Sequence, residues 1–303
     1  ILQVRAAVEA GAKEVVLTGT ALDTYGRDLG DELAFDTLIE AVLRETTLAR
    51  LRLPSLDPLA LSVRLRELMA REPRLCPHAH VALQSPHGGM LKRMNRRYDS
   101  SAVEETLLGL EQVGKTVQVA RSLPGGVFVG MDVITGFPGE TEAIFQWTME
   151  RLAALPWHRL HVFPYSERAA TAATRLDGVV PPAERKARVR ALMALSLERL
   201  RGHYEQVLAS GQALDVLVEG VKDGVAQGKT TNYYRVRFPA SPDTDRNQWA
   251  RVAPQGITVF PARGEVALEG VVVSRGSRRE RPSGGRSRPV GPLRRGPGSG
   301  RRP

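Results

Sequence analysis

Five short apolar runs, at residues 14–18, 51–53, 80–83, 128–134 and 160–163, alternate along this chain with stretches whose apolar residues recur at helical spacing. Leu38, Ile39, Val42 and Leu43 mark one such stretch, and Val103, Leu107, Leu108 and Leu110 another. Strands alternating with helices predict parallel βα units, because a parallel partner is reached only through a crossover long enough to hold a helix. In such an arrangement ligands gather where strands end and loops begin. Thr18, Ser55, Gln84, the stretch 132–136 and Tyr165-Ser166 all fall at or near those carboxyl ends.

The fourth run closes on Thr135-Gly136-Phe137-Pro138-Gly139-Glu140-Thr141. Gly136 and Gly139 free the backbone to turn, and Thr141 is placed to cap a helix carrying Ile144, Phe145, Met149 and Leu152. Two residues without Cβ beside the N–H groups of a helix start permit close approach of a polar ligand, with Asp132 or Glu140 to take its hydroxyls or ammonium. The same glycines serve any tight strand-to-helix turn, so both readings stand.

Beyond the barrel, residues 182–208 predict a long amphipathic helix, with Val189, Leu192, Leu195 and Leu200 near one face and arginines opposite. From Leu214 onward strand-like alternation returns, predicting a small all-β module that includes Gly228-Lys229-Thr230-Thr231-Asn232-Tyr233-Tyr234-Arg235-Val236-Arg237-Phe238. From residue 275 to the last residue there are ten arginines and one acid, a net +9 of the formal +10, so the remainder of the chain is nearly balanced. That stretch is Arg, Gly, Pro and Ser with few apolar residues, and it predicts a disordered basic tail. A solvated extension and a nonspecific RNA-binding arm are both compatible with its composition. The apolar content of 42% supports a real core, and no apolar run reaches membrane-spanning length; a cytoplasmic location and no membrane partner are the expectation. The single cysteine, Cys76, excludes a disulfide scaffold. His78 and His80 share one strand face, but two histidines without a third ligand read as satisfied polar groups rather than a metal site.

Several stretches occur in a fixed order: 13–19 followed by Tyr25-Gly26, 50–58, 77–85, Leu91-Lys92-Arg93-Met94-Asn95-Arg96-Arg97-Tyr98, the Gly136-Phe137-Pro138-Gly139-Glu140-Thr141 turn, and Leu160-His161-Val162-Phe163-Pro164-Tyr165-Ser166-Glu167-Arg168. In that order they resemble the radical S-adenosylmethionine (SAM) tRNA methylthiotransferases over about residues 1–270. Residues 91–98 and 160–168 look most like the branch acting on threonylcarbamoyladenosine beside the anticodon. The resemblance implies an α/β fold: a partial parallel (βα) barrel of the radical SAM type over residues 1–175, a linking helix over 176–212, a TRAM-like β-barrel over 213–270 and the disordered Arg-rich tail over 271–303. It implies a transferase that uses SAM and [4Fe-4S] clusters to methylthiolate a tRNA nucleoside, with the tRNA anticodon stem-loop as partner. Clusters need several thiolates, which one cysteine cannot supply, so the resemblance reads the chain as beginning after the cluster-bearing loop and ligating no cluster itself.

Carried over residue by residue, the resemblance sets Thr18 and Gly19 near the amino and carboxylate groups of SAM. Gln84, Ser85 and Asp132 would lie near the ribose, and Gly136, Gly139, Glu140, Tyr165 and Ser166 around the adenine, with Ser55 on the same rim. Thr230, Asn232, Tyr233, Arg235 and Arg237 would face RNA, by stacking and phosphate contact. No side chain is expected to act as acid or base, since the cofactors carry the chemistry. Pro86, where the family has Gly, restricts Ser85 and reshapes the loop after Gln84. Two other functions remain open: a non-catalytic RNA-binding relic, and a TIM-type metabolic enzyme, for which Lys13 and Lys92 are poorly placed.

Overall fold

A computed structural model describes residues 1–19, 22–26, 30, 34–168 and 171–275. Helix α1 (Leu2–Glu9) leads into β1 (Glu14–Val16), and α2 (Ala34–Glu45) into β2 (Arg50–Arg52). The strand expected at 51–53 is β2, and beyond Pro54, which offers no ladder donor, a second short strand β3 (Ser55–Leu56) follows. Next come α3 (Val63–Arg71), β4 (His78–Gln84), α4 (Gly88–Arg93), α5 (Ser100–Arg121), β5 (Phe128–Thr135), α6 (Glu142–Ala154) and β6 (Arg159–Pro164). Side-chain caps explain the helix starts: Ser62 accepts from Leu65 N–H, Asp99 from Ala102 N–H, and Thr141 from Ile144 N–H.

All pairing among these strands is parallel. Strand β1 pairs with β2, and β3-β4-β5-β6 form a sequentially ordered sheet, with a parallel bridge from Leu51 to Leu75 beside the start of β4. Residues alternate between two faces. On one, Ala79, Val81, Leu83, Val129, Met131, Val133 and Leu160 join the helices in a single apolar core. On the other, His78, His80, Phe128, Gly130, Asp132, Arg159 and His161 face the concave side, called here the lumen. Strand β1 lies at an edge, and Val16 there is 53% exposed rather than buried.

Helix α7 (Pro182–Ala209) follows, then β7 (Leu214–Lys222), β8 (Val225–Thr230), β9 (Arg235–Pro239), β10 (Trp249–Phe260) and β11 (Glu265–Arg275), closed as a barrel in the order β10-β11-β9-β8-β7. Strand β11 runs past residue 270 to pair Val272 with Val252 and Arg275 with Ala250. The remainder of the expected disordered tail, 276–303, lies outside the described residues. On α7 the buried stripe is Arg185, Arg188, Leu192, Ser196, Leu200, Tyr204 and Val207. Two of the arginines expected on the solvent side therefore lie on the packed face, because both have carbonyl and carboxylate partners there.

The small barrel docks against the amino-terminal ends of the lumen strands. Arg50, fully buried at the start of β2, donates to Lys229 O at 3.2 Å and to Thr231 Oγ1 at 3.1 Å, and lies over the Trp249 ring. Asn232 donates from Nδ2 to Pro124 O and Gly126 O at 2.8 and 3.0 Å. Tyr233 stacks on His78 with centroids 4.1 Å apart, between Arg52 and the Lys229 ammonium. Together these groups floor the lumen.

Candidate functional site

Three levels stand above one another along the strands, and the expected site residues divide among them. At the carboxyl ends, the rim, Thr18, Gly19, Ser55 and Ser166 are exposed and Gln84 is half-buried. Gln84 has φ +61°, a left-handed conformation unusual for a residue with a Cβ, where the chain leaves β4. Tyr165 follows β6; its ring meets Phe137 edge-on at 5.0 Å and lies under the Arg185 guanidinium. Its hydroxyl is buried with no hydrogen-bond partner.

The turn at 136–140 is not the open cradle expected. Gly136 N–H donates to Glu140 Oε2 at 2.5 Å, Gly139 N–H to Gly178 O at 2.7 Å, and Glu140 N–H to Phe137 O at 3.0 Å, so these donors are already satisfied within the chain. The glycines have φ +75° and +90°, and the space beside each is filled: a Cβ would meet Arg185 Cγ at 2.4 Å at Gly136 and Arg93 Nε at 2.6 Å at Gly139. Glu140 is buried and braces the turn from inside, accepting from Thr135 Oγ1 at 3.0 Å and Arg188 Nη1 at 2.9 Å. Gly136, Gly139 and Glu140 thus hold the turn together, and their N–H groups are engaged within the chain. Ser85 is buried, its Oγ accepting from His87 N–H at 3.1 Å.

Asp132 lies below the rim, three residues before β5 ends at Thr135. It sits in mid-lumen, where His80 Nε2 approaches its Oδ1 to 2.9 Å. His161, its register partner on β6, sets its ring edge-on to His80 at 4.9 Å. One donor atom from each of His80, Asp132 and His161 falls within 4.8 Å of the others. His80 is thus accompanied by two further donor groups, which arrive from the neighbouring strands β5 and β6 rather than from His78. Burial, reinforced by His80, holds the His161 imidazole down at about 4, so it is neutral near pH 7. The available signal was that residues 80, 132 and 161 share the lumen face once the strands are aligned; no single stretch shows it.

At the floor, Thr230 and Asn232 face inward, whereas Arg235 and Arg237 lie half-buried on the outer face of β9. Thr230 and Asn232 are almost fully buried, Thr230 Oγ1 donating to Asn232 Oδ1 at 2.8 Å, and Tyr233 is packed on His78. Arg235 forms a two-pronged pair with Glu265 at 2.6 and 3.1 Å, and Arg237 pairs with Glu269 at 2.7 Å. In the structure Thr230, Asn232 and Tyr233 join the small barrel to the larger body, and Arg235 and Arg237 pair with carboxylates of the same barrel. Cys76 is fully buried and is the chain's single cysteine, so the donor set does not fit a [4Fe-4S] cluster.

An α/β body of parallel sheets, with a polar rim at the carboxyl ends of its strands and a closed β-barrel at their other ends, is the class these residues build. No protein-family model matches the chain. It is 33% identical over 232 residues to the threonylcarbamoyladenosine tRNA methylthiotransferase MtaB of Thermotoga maritima, covering 76% of this chain and 50% of that protein. It is 32% identical over 260 residues to tRNA-2-methylthio-N(6)-dimethylallyladenosine synthase of Syntrophotalea carbinolica, covering 85% of this chain and 56% of that one. Among solved structures, Escherichia coli coproporphyrinogen III oxidase, described as a radical SAM enzyme, aligns with a TM-score of 0.45 at 16% identity over 80% of this chain and 54% of its own; so loose a likeness carries no argument. The chain belongs to the radical SAM tRNA methylthiotransferase family. It spans about half the length of the curated relatives it matches. Among the described residues, no helix is long and apolar enough to cross a membrane.

Proposed function

We propose that this chain is the SAM- and tRNA-binding body of a methylthiotransferase that modifies threonylcarbamoyladenosine beside the anticodon. The observation that carries the reading is the Tyr165 hydroxyl: a buried polar atom without a partner, at the rim where the family resemblance sets the adenine. An unmade hydrogen bond of this kind is costly, and a bound ligand that supplies the partner recovers it. Thr18 and Gly19 would receive the amino acid end of SAM, Gln84 the ribose, and Tyr165 with Ser166 the base, with Ser55 on the same edge. These groups bind and orient; SAM, when bound, supplies the reactive carbon and the methyl group. Because the thiol set does not fit a cluster, no step through one is assigned to this chain.

Exposed Lys92, Arg96 and Arg97, in and just after α4, supply cations beside the rim for RNA phosphates, in place of the paired arginines of the small barrel. The names of the relatives divide between two nucleosides, and the choice of threonylcarbamoyladenosine follows residues 91–98 and 160–168. Calorimetry of the whole chain with SAM tests the pocket. We expect weak saturable binding, reduced roughly fivefold by Tyr165→Phe, as loss of one hydrogen bond predicts. No SAM binding by folded protein, or equal binding by the Phe variant, overturns the assignment.

A further inference from the structure

We propose that His80, Asp132 and His161 form a divalent metal site of the two-histidine, one-carboxylate type, in the lumen between rim and floor. The site is separate from the proposed SAM contacts, which lie higher, and contains no thiol.

Three adjacent parallel strands build it. Asp132 and His161 are direct register partners on β5 and β6, and His80 on β4 is level with Gly130. Gly130 is the reason the His80 ring fits: a Cβ there would come within 3.1 Å of His80 Nδ1. Two donors in neighbouring positions on one first-row ion, each at about 2.1 Å, stand about 3 Å apart. The 2.9 Å between His80 Nε2 and Asp132 Oδ1 has that spacing. The third donor needs only a side-chain adjustment within the 4.8 Å cluster.

The chemistry of the donors agrees. Imidazole nitrogens are common ligands of first-row divalent ions, and a carboxylate supplies charge and a hard oxygen. Arg159 on β6 is paired with Glu265 at 4.0 Å, which partly offsets its charge near the cluster. The side chains of His80 and Asp132 remain 17% and 23% exposed, so the ion would keep open positions toward the lumen for water or an oxygen donor of a bound ligand. Three protein ligands with open positions suit Fe(II), Zn(II) and related first-row ions, not a closed structural zinc.

The test is a titration of the whole, chelator-stripped chain with Co(II), followed by its visible absorption, with Zn(II) competition by calorimetry. We expect one equivalent to bind with a d–d band, and at least about tenfold weaker binding in Asp132→Asn and in His161→Ala, since each removes a ligand outright. Asp132→Asn keeps the side-chain volume, and circular dichroism confirms the fold of each variant; His158→Gln, outside the cluster, should bind as the parent does. Absence of stoichiometric binding by the folded parent, or undiminished binding by both ligand variants, overturns the proposal and leaves a hydrogen-bonded polar cluster. Because no SAM is present, the result is independent of the pocket proposed at the rim.

Discussion

Glu140 shows how one acidic side chain can serve either a ligand or the loop that carries it. In sequence it is an acid after two glycines at a helix start, where a carboxylate facing a ligand and one holding the loop look alike. Its surroundings decide between them: it takes hydrogen bonds from Gly136 N–H, Thr135 Oγ1 and the buried Arg188, which comes from α7, about fifty residues away along the chain. Removing one partner of a buried ion pair typically costs about 3–5 kcal/mol, because the other charge is left in a poor solvent. Arg188 also reaches the more exposed Glu142 and Glu184 at 3.2 and 3.5 Å, which places Glu140→Ala near the lower end, about 3 kcal/mol. Urea denaturation measures it. A variant as stable as the parent but deficient in SAM binding would return Glu140 to the ligand.

At the scale of elements, alternation made the parallel strands legible and their sequential order followed. The turn before α6 and the cap at Thr141 were equally readable, being set by neighbouring residues. The short strand beyond Pro54, the burial of Arg185 and Arg188 and the inward-facing Tyr233 loop were not, because each depends on partners distant in sequence. The His80 cluster was half legible: the shared face of one strand is local, whereas register across three strands is not. The loop between α6 and β6 carries a testable consequence of the same kind. His158 Nδ1 accepts from Val129 N–H at 3.1 Å while the ring stacks on His203 at 4.0 Å. Burial, then the neighbouring His203 and Arg199, hold His158 well below its usual value; burial is also the largest cause lowering His203, opposed by its bond to Trp157 O and reinforced by Arg199. The unfolded chain takes up protons near pH 6.5 that the native state refuses, so stability is full above that pH and falls as pH drops below it. The slope is at most about 1.4 kcal/mol per pH unit for each such histidine. The urea midpoint should therefore decline from pH 7 to 5, above the range where most carboxylates titrate, and His158→Gln should flatten that decline. A midpoint constant over this interval contradicts the neutral, buried pair.

For the molecule as a whole, the division into rim, lumen and floor separates the proposed ligand contacts from the contacts that join the two barrels. The conspicuous aromatic and basic motif of the small barrel lies at the floor, at the opposite ends of strands six to eight residues long in β4, β5 and β6. At about 3.3 Å per residue, that is roughly 20–25 Å from the rim. A nucleoside delivered to the rim cannot also stack on a Tyr233 ring already covered by His78, Arg52 and Lys229. Tyr233→Ala should consequently act on stability, costing about 3–5 kcal/mol by analogy with other buried aromatics, less in proportion to its partial exposure. Its affinity for an anticodon stem-loop should stay within about twofold, since the phosphates are expected to meet cations at the rim instead. Arg96→Ala with Arg97→Ala should do the reverse: an unchanged urea midpoint, weaker RNA binding, and a salt dependence shallower by about one unit of slope for each phosphate no longer neutralised. Both variants should be measured by filter binding across a salt series, with residues 276–303 deleted so that their arginines do not mask the difference. Loss of RNA binding in folded Tyr233→Ala, with none in the double arginine variant, would move the nucleic-acid surface back to the small barrel and leave the rim without an RNA contact.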